Sequence, residues 1–166
     1  MRRGGFLFIF IALAFSLRGQ EANEKNQPEL SINFDLLSSH IWRGIKNGSS
    51  LSVQPAISLS NKNWNAGAWA AYASNDSYFE IDLFVEYSYR SITLSLYDYY
   101  CPPSTQIASF VDFRKNHTKH TLDAMFTWNP KHLPFKVMAS TMVLGDDLSP
   151  ATGKQVFSTY FEPALT

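Results

Sequence analysis

The sequence has one cysteine, Cys101, little charge, and no apolar run long enough to cross a bilayer as a helix. A single thiol cannot close an internal disulfide, so the fold has to be held by other means. Charged residues make up 17% of the 166 residues, against roughly 25% in an ordinary soluble domain. Basic and acidic residues balance at 14 each, which excludes an electrostatic nucleic-acid binder. There is no low-complexity tract. Aromatic residues are plentiful at 15%, and that abundance with so little charge argues against disorder. Hydrophobic residues reach 45%, yet the mean hydropathy is only −0.16. Apolar and polar residues must therefore be interleaved, which argues against a bundle of membrane helices. The length suits one domain.

Arg2 and Arg3 precede a short apolar run over residues 6–15, and small or polar residues follow it. That pattern predicts a cleaved secretory signal peptide over residues 1–20. No cysteine follows the run, so a lipoprotein anchor is not expected. Removing Arg2, Arg3 and Arg18 leaves 11 basic residues against 14 acidic ones. Residues 21–29 read as a polar leader, and residues 30–166 as the folded domain.

From Leu30 onward the hydrophobic period is two, not 3.6. Over residues 79–89, Phe79, Ile81, Leu83, Val85, Tyr87 and Tyr89 oppose Glu80, Asp82, Phe84, Glu86 and Ser88. Ile92, Leu94 and Leu96 continue the pattern against Thr93, Ser95 and Tyr97, with a tight turn or a kink expected at Arg90-Ser91. Residues 30–43 alternate in the same way, with Asp35 and Arg43 on the polar side. Further strands are predicted around residues 53–59, 64–73, 121–128, 135–143 and 155–162, about eight in all. Lys46-Asn47-Gly48-Ser49 and Asn61-Lys62-Asn63 supply turn chemistry. Longer connections are expected at Cys101-Pro102-Pro103-Ser104 and over residues 145–153.

Alternation alone fits a soluble sandwich, a ligand-holding barrel or a membrane barrel. The predicted strands run about nine to eleven residues, the length a tilted strand needs to cross a bilayer. Aromatics gather toward strand ends, among them Trp42, Trp64, Tyr72, Tyr78, Tyr87, Tyr89, Tyr99, Tyr100, Trp128 and Tyr160. The polar side carries charge in mid-strand. The expectation is an all-β, antiparallel up-and-down transmembrane β-barrel in a bacterial outer membrane. Its partners would be outer-membrane lipid and small solutes. The alternative is a soluble periplasmic or secreted β-barrel that binds a small apolar ligand.

Two stretches carry a resemblance. HIWRGIKNGSSLSVQPAISLS and NWNAGAWAAYAS contain Trp42, Arg43, Gly44, Gln54, Pro55, Gly67 and Trp69 in an aromatic-Arg-Gly, Gln-Pro, Gly-x-Trp order. NHTKHTLDAMFTW, TMVLGDD and GKQVFSTYFE follow, with Asn116, His120, Asp123, Gly145, Asp146, Asp147, Gly153, Lys154, Ser158, Thr159, Tyr160 and Glu162. The first set resembles bacterial outer-membrane proteins described as porins of the TorF type, and the second resembles Bacteroidetes-type members. The resemblance covers nearly all of the chain after the leader. It implies an outer-membrane barrel without assigned catalytic chemistry, inserted by the outer-membrane assembly machinery. Family members continue past the Ser-Thr-Tyr-x-Glu strand, so the resemblance also predicts that this chain, stopping at Thr166, is shortened and is an incomplete larger barrel.

The residues expected to line a lumen are Asp35, Arg43, Glu80, Asp82, Glu86, Arg90 and Asp123. They would either hold the interior shut as a salt-bridged plug or set its selectivity; about eight strands favour the plug. Asp146 and Asp147 form a candidate cation loop through hard oxygen ligands. His117 and His120 with Asp112 and Asp123 do not make a metal site, because strand positions three apart face opposite sides. No nucleophile motif is present, so neither an enzyme nor a cofactor is expected.

Overall fold

The computed structural model describes residues 27–103, 110–114 and 117–165. The expected signal peptide and most of the leader lie outside the described residues. Among the described residues there are ten strands and no helix. They are β1 (Glu29–Leu37), β2 (His40–Trp42), β3 (Ile45–Asn47), β4 (Ser52–Asn61), β5 (Trp64–Ala73), β6 (Phe79–Tyr89), β7 (Ile92–Tyr100), β8 (His120–Trp128), β9 (Phe135–Gly145) and β10 (Thr159–Leu165). Eight of them form one antiparallel sheet in the order β1-β4-β5-β6-β7-β8-β9-β10, and β2 pairs only with β3.

The connections differ at the two ends of the sheet. Lys62-Asn63 and Arg90-Ser91 join strands in two-residue turns, bounded by the pairs Asn61↔Trp64 and Tyr89↔Ile92. Lys62 and Arg90 take left-handed φ values of 54° and 55° to make them. The β1–β4, β7–β8 and β9–β10 connections are the long ones, and all begin and end at the opposite rim. β1 enters and β10 leaves at the tight-turn rim, as the pairs Glu29↔Ser60 and Leu165↔Phe135 show.

Register decides which residues share a face. Ser58, Gly67, Phe84, Tyr97, Asp123 and Met142 form one row across β4 to β9. The row beside it, on the opposite face, is Leu59, Ala66, Val85, Leu96, Ala124 and Thr141. The first face is concave and polar, and the second is convex and apolar. Burial follows in an inverted order. Gln54, Glu80, Asp82, Ser95, Asp123 and Ser140 are buried, while Ile32 is 71% exposed, Leu83 42% and Leu94 55%. A water-soluble core puts apolar side chains inside; here they stand outside.

Aromatic pairs mark both rims of the convex face. Trp64 meets Tyr87 at 4.8 Å and Trp128 meets Phe135 at 5.4 Å on the tight-turn side. Tyr72 lies opposite Phe79 on the other side. Between Trp64 and Tyr72 lie eight residue steps of β5, roughly 27 Å along the strand at about 3.4 Å each. Trp42, Tyr78, Tyr99 and Tyr160 do not join these belts, because they belong to the concave side.

Four features differ from the sequence reading. Residues 30–43 are not one strand: β1 ends at Leu37, a bend at Ser38-Ser39 follows, and the chain turns inward as a hairpin. Arg43 and Gly44 have φ of 48° and 80°, and two successive positive values are what a type I′ hairpin turn requires. The last strand runs over Thr159–Leu165, not residues 155–162, because Asp147 holds Gln155 and Ser158 in the preceding loop. The irregular alternation of β9 reflects a register shift beside Leu122/Asp123. Among the described residues the sheet is also not closed, since β1 and β10 do not pair with each other.

Pro163 sits in one of those two strands. Met142 donates its backbone N–H to the Ser158 carbonyl, so in this register the N–H groups of Tyr160, Glu162 and Ala164 point to β9. The nitrogen of Pro163 points away from β9, and its missing N–H costs the ladder nothing.

Candidate functional site

The β2–β3 hairpin folds over the concave face and carries the residues that knit it to the sheet. At its tip, Arg43 donates to Asp123 Oδ2 at 2.5 Å and to Ser140 Oγ at 2.6 Å. Its guanidinium also lies 4.4 Å from the ring centre of Trp42 and 4.6 Å from that of Tyr160. Tyr99 donates to the same Asp123 oxygen at 3.3 Å and meets Trp42 edge-on at 5.8 Å. Arg43 thus ties the hairpin to β8, β9 and β10, and Trp42 ties it to β7. Asp123 is fully buried, so without this partner its charge would stand uncompensated.

At the base of the hairpin, His40 is buried against Trp69 and Tyr78, at ring-centre distances of 5.1 and 5.7 Å. The Gln54 amide nitrogen lies 3.2 Å from His40 Nδ1 and donates to it. The proton of the neutral ring is then on Nε2, which faces Glu80 Oε2 at 3.5 Å without a proper hydrogen bond. Burial lowers the pKa of His40 below its ordinary 6.5, against the opposing pull of Glu80. Glu80 accepts from Tyr78 at 2.6 Å and from Cys101 Sγ at 3.3 Å. Desolvation, with the Glu80 carboxylate alongside, raises the Cys101 thiol well above its ordinary value. That leaves it a poor nucleophile at neutral pH.

A third cluster surrounds Glu86, toward the tight-turn rim. Its carboxylate accepts from Asn65 at 2.9 Å and Tyr97 at 3.0 Å. Asp82 lies between the second and third clusters, buried, with Oδ1 unpartnered. On the concave face the carboxylates Asp35, Glu80, Asp82, Glu86, Asp123 and Glu162 outnumber the cations Arg43 and Lys136. The face therefore favours cations.

Of the seven residues expected to line a lumen, Asp35, Glu80, Asp82, Glu86 and Asp123 stand on the concave face, and Arg43 reaches it through the hairpin. Asp35 is exposed near the open edge. Arg90 lies in the β6–β7 turn, over the ring of Tyr89 at 5.2 Å, and does not reach the interior. The Asp146-Asp147 loop spends its oxygens on protein donors. Asp146 pairs with Lys119 at 2.8 Å, and Asp147 accepts from Gln155, the Ser158 amide and the Ser158 hydroxyl. Among the described residues no group of three His, Cys, Asp or Glu is placed to hold a metal ion.

Sequence reasoning missed Gln54, Tyr97, Tyr99 and Ser140 as members of the interior network. Their signal was present: each holds the parity opposite to the nearest Val, Ile or Leu of its own strand. His40 had no such signal, because its position depends on a hairpin that alternation does not reveal. Compared with known proteins, the chain matches no family model, no curated protein and no solved structure.

Proposed function

We propose that this protein is a bacterial outer-membrane β-barrel protein, porin-like in architecture, whose polar interior is filled by the β2–β3 hairpin. The observation that carries the reading is the inverted placement of polarity. Leu59, Val85 and Leu96 stand outward while Glu80, Asp82 and Asp123 are buried. Lipid selects for that pattern and water selects against it. The two aromatic belts and the contrast between tight and long connections favour the same reading. So does the likeness to TorF-type porins in the Trp-Arg-Gly and Gly-x-Trp motifs.

An open sheet edge is costly in hydrocarbon. β1 and β10 run in opposite directions and meet the same rim, the arrangement that antiparallel pairing between them needs. In such a closed form the acidic interior would pass small cations by diffusion if the hairpin moved. With the hairpin seated, the barrel is a plug.

Two measurements test this. Membranes carrying the full-length protein are washed with alkaline carbonate, and recovery in the soluble fraction would refute the outer-membrane reading. Purified protein is then added to planar bilayers. Wild type is expected to be nearly silent, and Arg43→Ala, which releases the hairpin tip, is expected to conduct with cation preference. Silence of both variants after confirmed insertion would remove the conduit and leave a structural barrel.

A further inference from the structure

The long-connection rim holds a second feature, on the opposite face from the hairpin. A cavity of about 700 Å³ opens between the connection before β8 and the connection after β9. Its size falls within the roughly 300–1,000 Å³ of small-molecule sites. Leu122, Leu144, Leu148 and Phe157 supply much of the apolar wall. Leu122 and Leu144 are register partners on the convex face, so the cavity belongs to the side that the proposed function turns toward lipid.

The polar groups of the wall are arranged unevenly. His120, which is only 5% exposed, has Nδ1 2.9 Å from Asp98 Oδ2 and Nε2 2.7 Å from the Phe110 carbonyl. Both ring nitrogens face acceptors, and the Asp98 carboxylate already has a side-chain partner in this contact. The nearby Lys119 and Asp146 pair with each other at 2.8 Å. Lys154 also lines the cavity and is exposed, and its ammonium has no acidic partner among the described residues. Phe157 holds a φ of 59°, a backbone conformation that a bulky side chain rarely adopts, and it lines this wall. Such strain persists where the surrounding structure enforces it, and it clusters at binding sites. Gly145, also in the wall, has no room for a Cβ, which would lie 2.0 Å from the His120 carbonyl oxygen.

We infer that this cavity binds the acyl chain of an anionic amphiphile, with the carboxylate or phosphate head at Lys154 and the chain along Leu122, Leu144 and Leu148. The inference rests on the membrane reading above. A free fatty acid and an anionic phospholipid share this chemistry.

The test uses full-length protein reconstituted into phosphatidylcholine nanodiscs and titrated with cis-parinarate, a fluorescent long-chain carboxylate. Protein-free discs give the background. A saturable component is expected in wild type. Lys154→Glu should weaken it roughly fivefold, the scale of one largely exposed charge contact. Leu144→Trp, at a position already 62% exposed, should fill the cavity and abolish binding without disturbing the fold. Displacement by phosphatidylglycerol placed in the disc identifies a lipid occupant, and displacement by palmitate alone identifies a free fatty acid. An unchanged affinity in Lys154→Glu overturns the anionic head, and an unchanged affinity in Leu144→Trp overturns the cavity. If the protein fails to enter discs, the membrane reading falls. The same titration in aqueous buffer then decides the site, and no saturable binding there sinks it too.

Discussion

Arg43 has two oxygen acceptors and two aromatic faces within reach, and it neutralises a carboxylate that solvent does not touch. Removing one partner of such a pair is far more harmful than removing both. Arg43→Ala is expected to lower unfolding stability by about 3–5 kcal/mol. Adding Asp123→Asn to it should recover part of the loss. Urea unfolding in detergent, followed by tryptophan fluorescence, measures both; equal losses in the single and double variants would refute the pairing argument. His40 gives a pH dependence. Its pKa is lowered in the fold, so the neutral ring contributes stability in full above its ordinary 6.5, and that contribution is lost as pH falls below 6.5. The unfolding midpoint should drop between pH 7 and pH 5, and His40→Gln should flatten the drop. The sequence placed Arg43 with the polar set by counting eight residues from Asp35. The structure reaches the same face by another route, because the Arg43-Gly44 turn reverses the chain. Alternation can assign a side to a residue, but it cannot tell a strand from a hairpin that leaves the sheet.

At the scale of the strand, two prolines make contrasting cases. Pro163 turns its nitrogen to the free edge, whereas Pro55 sits in β4 between two partners. Ser74 donates to the Leu51 carbonyl, and this register aims the position-55 nitrogen at β5. The β4–β5 register accordingly passes from Val53↔Tyr72 to Ala56↔Trp69 without the pairs between. Pro55→Val should restore the bond and add about 1 kcal/mol of stability. Pro163→Val should leave β9–β10 unaltered while adding an edge donor. Amide hydrogen exchange distinguishes the two: protection should rise at β4–β5 in the first variant and stay the same at β9–β10 in the second. Gly67 marks a close approach in β5, where a Cβ would lie 2.2 Å from the Ile57 carbonyl oxygen and 2.8 Å from the Phe84 ring. Gly67→Ala is expected to cost about 1–3 kcal/mol by overpacking. The Gly-x-Trp spacing made this position visible in the sequence, but the reason for it, a facing ring and a neighbouring carbonyl, needs the register.

For the molecule as a whole, the decisive question is what surrounds the convex face. Leu83 is 42% exposed. In water, Leu83→Lys would change stability by no more than about 0.5 kcal/mol, as surface substitutions do. Facing the middle of a bilayer, it should cost roughly 2–4 kcal/mol and reduce insertion. Comparing the variant with wild type during folding into vesicles separates the two environments, and an unaffected variant would contradict the membrane reading. The eight-stranded antiparallel meander was legible in the sequence because each strand repeats one period, and the tight turns were legible from their residues. That the sheet stays open between β1 and β10 was not legible, because pairing or its lack between the first and last strands leaves no local pattern. The outer cavity was not legible either: its walls come from two connections with no common period.

Glu29 and Leu165 leave the sheet at the same rim, the one with the tight turns, while the β1–β4, β7–β8 and β9–β10 connections begin and end at the other. In the membrane barrel proposed above, reporters fused ahead of residue 29 and behind residue 165 would therefore share one compartment. An epitope placed among residues 146–158 would report the other, so a two-colour accessibility assay on intact cells would read the orientation of that barrel, and equal accessibility of all three sites would contradict the membrane reading.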